Sequence, residues 1–370
     1  MKASSVIEKD LIYIINNLKY EFNRLSGKNL LITGGAGFLG YYLIQSILFW
    51  NDHVKNKKPI IVWVYDNFKR KVPKWITTLK QRSDIHIIKH DITTPLPKST
   101  IEYSYIIHAA SIASPIYYRL RPIETMDANI QGLRQLLDYT LIQKKTAQPI
   151  DSFLFFSSSE IYGDPTPNYI PTSETYHGNV SCTGPRACYD ESKRYGETLC
   201  VNFAKCYNLP IKIARPFNIY GPGLKINDGR VISDFAGNIF ANEDIIIFSD
   251  GSPTRTFCYV ADAIIGYYKI LMNGSRCEAY NIGIEKPEIT IKKLAELMIC
   301  IGKKYFGYTG KIVYKISKDR DYLVDNPNRR CPNIFKARSQ IGYSPSININ
   351  KGLLQTMYWY NDNLNREEES

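Results

Sequence analysis

Three glycines do most to constrain what this chain can fold into. Gly34-x-x-Gly37-x-x-Gly40 follows the apolar run Leu30–Thr33 and opens a helix-patterned segment from Phe38 to Trp50. A strand, a glycine turn and a helix in immediate succession give this spacing its meaning. Glycine is needed where the backbone turns tightly and must approach a pyrophosphate, whose charge then rests on the helix N-terminus. The alternation continues downstream. Apolar runs at Ile60–Tyr65, Ile85–Ile88, Tyr105–His108, Phe153–Phe156 and Ile211–Ala214 read as strands, with helical patterns over Pro122–Lys144 and Ala187–Tyr207.

Strands that are apolar without alternation are buried on both faces, and repeated β-α units place them side by side in one direction. The expectation is an α/β protein: a doubly wound parallel Rossmann sheet with a smaller C-terminal substrate-binding lobe. Residues 28–215 form the dinucleotide-binding domain. Residues 216–362, richer in Gly and Pro and in short elements, form mainly the substrate lobe, with room for strands that return to the sheet. Residues 1–27 are a helical appendage. Val6, Leu11, Ile14, Ile15, Leu18 and Phe22 recur at helical spacing over 4–25, with Ser4 or Ser5 available as a cap, and the helix is expected to pack within its own subunit. Residues 363–370 read as a frayed charged tail.

Composition narrows the function classes. Forty-seven Lys and Arg against 35 acidic residues give a net charge of +12. The lysines are scattered, as at Lys69, Lys71, Lys303 and Lys304, so the excess reads as a solvated basic surface and not as a nucleic-acid arm. No apolar run approaches the roughly 20 residues of a membrane span. The eight cysteines form no Cys-x-x-Cys pair and no zinc-like cluster, which suits reduced thiols, no metal and a cytoplasmic protein.

Asp66 ends the second strand, where a carboxylate grips the ribose hydroxyls of an adenosine and repels a 2′-phosphate. NAD is therefore expected over NADP, although the basic run Lys69-Arg70-Lys71 follows directly. The expected cofactor contacts are Gly34, Gly37, Phe38, Leu39, Gly40, Asp66, Asn67, Asp91, Ile92, Ala109 and Ala110, together with Tyr189 and Lys193. These last two lie four apart on one helix face. A phenol with an ordinary pKa of about 10 is a weak acceptor at neutral pH; a nearby ammonium and a positive nicotinamide favour its phenolate. Ser158, in Ser157-Ser-Ser-Glu160 at the end of the fifth strand, is expected to donate to the same substrate oxygen.

With these motifs in order, the sequence resembles the extended short-chain dehydrogenase/reductase superfamily from about residue 28 to 360. Within it the resemblance is to the UDP-glucuronic acid decarboxylases. It is carried by His108–Pro115, Ser157–Pro165, Gly184–Arg194, Asn227–Val231, Thr254–Val260 and Asn328–Pro332, with Gly184–Arg194 the most specific. The resemblance implies an NAD-dependent enzyme that oxidises C4 of a nucleotide-linked hexuronic acid, loses CO2 from the resulting β-keto acid and re-reduces the pentose. It implies catalytic roles for Tyr189, Lys193, Ser158, Glu160 and Arg330, with Arg330 beside the sugar carboxylate. It further implies substrate contacts at Ser114, Ser158, Glu160, Asn218, Arg230, Ser233, Phe248, Arg255 and Arg330, and a homodimer built on two long helices. Arg215 reads as structural. Taken alone, Arg330 also reads as the partner of Asp321 or Asp325.

Two departures stand out. Gly221-Pro222-Gly223 has glycine where the family carries arginine, and Ser158 stands where it carries threonine. The sugar-facing segment, Ser111-Ile112 and Ile116–Arg119, also differs from the family pattern. A nucleotide-hexose 4,6-dehydratase is the alternative, since it too uses a carboxylate after Ser or Thr; a 4-epimerase would leave Glu160 without a task.

Overall fold

The computed structural model describes residues 2–54, 57–97, 101–226 and 228–368; Asn227 of the Asn227–Val231 motif lies outside them. The chain opens with helices α1 (Ala3–Asn17) and α2 (Lys19–Leu25), then β1 (Asn29–Thr33), α3 (Phe38–His53), β2 (Ile61–Asp66), β3 (Ile85–Lys89) and β4 (Tyr105–His108). After these come α4 (Pro122–Gln143), β5 (Ser152–Phe156), α5 (Ala187–Tyr207), β6 (Ile211–Pro216), α6 (Val260–Asn273), β7 (Ala279–Ile282) and the last helix, α7 (Ile349–Glu368). Seven strands form one parallel sheet in the order β7-β6-β5-β4-β1-β2-β3.

The side-chain period of two builds both covering layers from a single strand. Leu30 and Ile32 of β1 face a core shared with Tyr42, Leu43 and Ile47 of α3 and with much of α6. Leu31, between them, faces Leu133, Leu136 and Leu137 of α4 and Phe203 of α5. All three β1 residues are fully buried. The chain runs outward from β1 to β3, then returns to lay β4 on the other side of β1. That reversal leaves a crevice at the carboxyl ends of β1 and β4, the place where such sheets take ligands.

The appendage differs from the single helix expected over 4–25. It breaks at Leu18, whose backbone (φ −123°, ψ 16°) is not helical, and Ser4 and Ser5 lie inside α1 instead of capping it. Tertiary packing imposes the break. α1 lies on α3, α6 and α7, while the turn swings Phe22 of α2 between Trp50 and Tyr268, at ring-centroid distances of 5.6 and 4.8 Å. Asp10 of α1 is buried and accepts hydrogen bonds from Tyr42 and Tyr259, both at 2.7 Å, and from Gln355 of α7. The appendage packs within its own subunit.

Beyond Pro216 the chain is more helical than its composition suggests, with helices at Val231–Phe240 and Ile291–Phe306 besides α6 and α7. Ile291–Phe306 carries ordinary stop and start signals: Thr290 accepts from Lys293 N, and Gly307 closes it in a left-handed turn. α7 continues through 363–368, where a frayed tail is expected; residues 369 and 370 lie outside the described residues.

Candidate active site

The cofactor end of the crevice is made of backbone. Gly34 leaves β1 at φ +71°, and a Cβ there would lie 2.6 Å from the Ala110 Cα. At Gly40 a Cβ would meet the Gly35 carbonyl oxygen at 2.4 Å, so α3 packs onto its own loop only because that atom is missing. The first-turn N–H groups of α3, including those of Phe38 and Leu39, have no acceptor within the helix and face the crevice end. Asp66 caps the loop from β2: its carboxylate accepts from Ala36 N (3.0 Å) and Phe68 N (2.8 Å). Burial raises its pKa, while those two N–H groups pull it back. Asn67 donates to Asp91, which also accepts from Thr93 and pairs with Lys69 at 3.1 Å. Despite partial burial, those partners hold the Asp91 carboxyl down at about 2. Ile92 follows it, and Ala109 and Ala110 follow β4 across the turn from Gly34. A tight glycine turn, an open helix N-terminus and an acid at the end of β2 fit a dinucleotide.

The chemical end sits at β5 and the start of α5. Ser158 leaves β5 extended, accepts from Glu160 N at 3.2 Å and hydrogen-bonds to the Tyr189 phenol. Lys193, one turn after Tyr189, donates to the Phe156 carbonyl at 2.8 Å, with its ammonium 5.8 Å from the Tyr189 ring centre. Burial dominates both groups. It pushes the phenol up to about 12 and the ammonium down to about 7. Lys193 on its own therefore does not lower the phenol as its spacing suggests, because burial disfavours the charged form of both groups. The neutral His108 side chain, depressed by burial and by Lys193, is fixed below it through Thr33 at 2.8 Å.

Glu160 is gripped from two sides. Arg330 donates two hydrogen bonds to it, one from each terminal nitrogen, and Arg186 donates a third. Burial favours the neutral acid, but the two guanidinium charges overcome it and hold Glu160 ionised, well below the usual carboxylate range. Arg330 thus takes Glu160 as its partner and not Asp321 or Asp325. Arg215 is tied to Glu197 at 2.6 and 2.8 Å and to Tyr162, as a structural arginine should be.

The remaining expected contacts lie along the second lobe. Ser114 donates to the Asp228 carbonyl at 2.7 Å, and Arg230 reaches both Ala113 O and the Asp228 carboxylate, so these meet at one rim. Ser233 caps that rim by donating to Arg230 O. Asn218, at φ +45°, spends its amide on Thr256 O. Arg255 is buried and donates to Thr254 O, Asn328 O, Pro327 O and the Asn326 side chain. Burial and the neighbouring Arg330 lower it to about 9. Phe248 stands apart from the Tyr189 group, edge-on to Tyr322 in a cavity of about 570 Å³ that Tyr314, Lys315 and Arg320 also line.

Sequence reasoning gave no role to Arg186, Asp190 or Tyr322, and read Tyr118 only as part of a sugar-facing segment. Tyr118 stacks on Tyr189 (5.1 Å, 15°), and the Arg186 guanidinium lies 5.8 Å from the Tyr118 ring. The one available signal was position: Arg186 falls one turn before Tyr189 within the Gly184–Arg194 block. Among the described residues no His, Cys, Asp and Glu cluster could hold a metal ion, and no helix is long and apolar enough to cross a membrane.

Residues 30–283 match the model of the NAD dependent epimerase/dehydratase family. UDP-glucuronic acid decarboxylase 6 of Arabidopsis thaliana is 35% identical over 332 residues, covering 89% of this chain and 87% of the relative. UDP-glucuronic acid decarboxylase 1 of Xenopus tropicalis is also 35% identical, over 92% of this chain and 74% of its own. An epimerase from Methanothermobacter thermautotrophicus superposes with a TM-score of 0.78 at 24% identity, covering 96% of this chain and 98% of its own. UDP-glucuronic acid 4-epimerase from Bacillus cereus, in complex with UDP-glucuronic acid and NAD, gives 0.71 at 24% identity over 91% and 99%. At these identities the structural likenesses speak for the fold.

Proposed function

Because the chain belongs to the NAD dependent epimerase/dehydratase family, within the extended short-chain dehydrogenase/reductases, and uses NAD, we propose that it decarboxylates UDP-glucuronate to UDP-xylose. The observation that carries this reading is Arg330, a buried guanidinium beside Glu160 at the Tyr189 end of the crevice. Glu160 fills this fork in the structure, and a carboxylate on the substrate is the ligand group that matches the same two parallel hydrogen bonds.

Bound NAD supplies a hydride acceptor at C4 in the first half of the cycle and a donor in the second, and its positive ring favours the phenolate. Tyr189 takes the C4 hydroxyl proton, while Ser158 holds the same oxygen and Lys193 keeps positive charge beneath the phenol. Arg330 orients the C6 carboxylate of what is now a β-keto acid. The C5–C6 bond breaks, its electrons pass into the C4 enolate, and CO2 leaves. Burial of the site favours this loss of charge over a hydrated carboxylate. A proton then adds at C5, and Tyr189 returns its proton to the C4 oxygen. Asn218, Arg230 and Arg255 would hold the diphosphate, with Phe248 and Tyr322 receiving the base.

The reading extends to a cytoplasmic homodimer. All eight cysteines are free, which suits a reducing compartment. α4 and α5 pack together and expose Ile123, Met126 and Ile142 on one and Tyr195 and Tyr207 on the other, which supports pairing through these helices. Light scattering of the purified protein checks that.

The deciding assay incubates the enzyme and NAD with UDP-glucuronate and follows product mass. Release of CO2 with UDP-pentose, and without accumulating NADH, is expected. Loss of water from a nucleotide hexose makes it a dehydratase, and UDP-galacturonate of unchanged mass makes it a 4-epimerase.

A further inference from the structure

Arg186 has no task in that cycle, yet it is built into the site. Its side chain is 8% exposed and donates a hydrogen bond to Glu160 Oε2. Its Nε is buried without a hydrogen-bond partner. The nearest acid there, Asp190 Oδ2, stands 3.9 Å away, beyond hydrogen-bond reach. Burial and the charge on Glu160 raise the Asp190 carboxyl well above its ordinary value, so at neutral pH it does not neutralise the guanidinium. Two buried guanidinium groups thus share one carboxylate. Buried positive charge with unused N–H donors is costly until an anion completes it.

We propose that Arg186 determines substrate specificity: with Arg330 it forms a two-guanidinium receptor for the carboxylate of a nucleotide-linked uronic acid, and Glu160 fills that receptor until the substrate carboxylate takes its place on Arg186. This rests on the uronate reading above. Geometry supports the exchange. In a hexuronic acid the carboxylate is two carbons from the C4 oxygen, so its receptor must adjoin the phenol that serves C4. Arg186 does so through Tyr118, whose ring it approaches and which stacks flat on Tyr189. The Tyr118 hydroxyl is buried without a partner on the same wall. A hexose with a CH2OH group brings no charge with which to displace Glu160, and is excluded for that reason.

The test measures equilibrium binding to the NAD-loaded protein in a Tyr189→Phe background, where substrate binds without turnover. UDP-glucuronate and UDP-glucose are compared by titration calorimetry. Arg186→Met is expected to weaken UDP-glucuronate about 30-fold or more and leave UDP-glucose within about 3-fold, the scale of a lost buried charge pair. Glu160→Gln, which leaves the receptor uncharged at its centre, is expected to tighten UDP-glucuronate and not UDP-glucose. Equal losses for both ligands in Arg186→Met, or no loss, overturn the proposal. Should Arg186→Met fail to fold, Glu160→Gln decides alone, and absence of selective tightening overturns it. If the Tyr189→Phe protein itself binds both sugars alike, the uronate reading fails and takes this one with it.

Discussion

At the β1–β4 end of the crevice the protein offers its ligand bare main chain: Gly34 at φ +71°, Gly40 against the Gly35 carbonyl, and the free N–H groups of α3. A few residues along the same crevice, beyond Tyr189, it offers buried charge, with Glu160 between Arg186 and Arg330. The first end works through atoms that are missing and tolerates none added. The second works through charge, and tolerates changes of shape better than changes of sign. Position of the backbone carries one; balance of charge carries the other.

The largest expected effect lies where the two meet. Tyr189→Phe keeps the ring stacked on Tyr118 but removes the proton acceptor, and product formation should fall about 1,000-fold or more with folding intact. A fall below about 10-fold would move the base elsewhere. Next comes the backbone end. Gly34→Ala combines a left-handed backbone with a Cβ 2.6 Å from Ala110, together about 3 kcal/mol of strain that the loop sheds only by leaving its ligand-ready shape, so NAD affinity by titration should fall by up to roughly 100-fold. Retained affinity would break the contrast. At the charged end, Arg330→Ala should cut turnover of UDP-glucuronate about 30-fold or more and leave NAD affinity unchanged; equal activity would remove the carboxylate clamp.

The smallest effect on activity is a control in the helical appendage. Burial raises the Asp10 carboxyl from 3.8 to about 6. The fold therefore favours the protonated acid, and the stability it contributes is complete below pH 3.8 and lost as pH rises through about 6. The loss is about 3 kcal/mol. Asp10→Asn should flatten the stability profile in that window in denaturant titrations, with activity near neutral pH unaltered. A profile as steep as before would mean that another group titrates there.

The contrast also separates what the sequence discloses from what it conceals. The glycine turn lies within one β-α unit, so its spacing is readable, as is the pairing of Tyr189 with Lys193 one turn later. Asp66 is found by its place at the end of a strand. The arginine clamp has no such period. Glu160 and Arg330 are 170 positions apart, and nothing local tells that Arg186 is buried while Arg134 is exposed. Local pattern also missed the break at Leu18, which the fit of Phe22 between Trp50 and Tyr268 imposes from outside the segment. Likewise, Lys193 promised a more acidic phenol, and only the burial of both groups in the folded chain explains why the phenol rises instead.

The packing of α1 against α7 has a bearing on how the chain is made. The two helices meet through Asp10 and Gln355, and the Ala3 N–H donates to Asp362, yet about 330 residues separate the end of one from the start of the other. On a ribosome adding roughly 5–20 residues per second, α1 waits tens of seconds for its partner. Throughout that interval part of the face bearing Val6, Leu11 and Ile14 lacks its final cover, so nascent chains stalled before residue 349 should be the ones that chaperones hold.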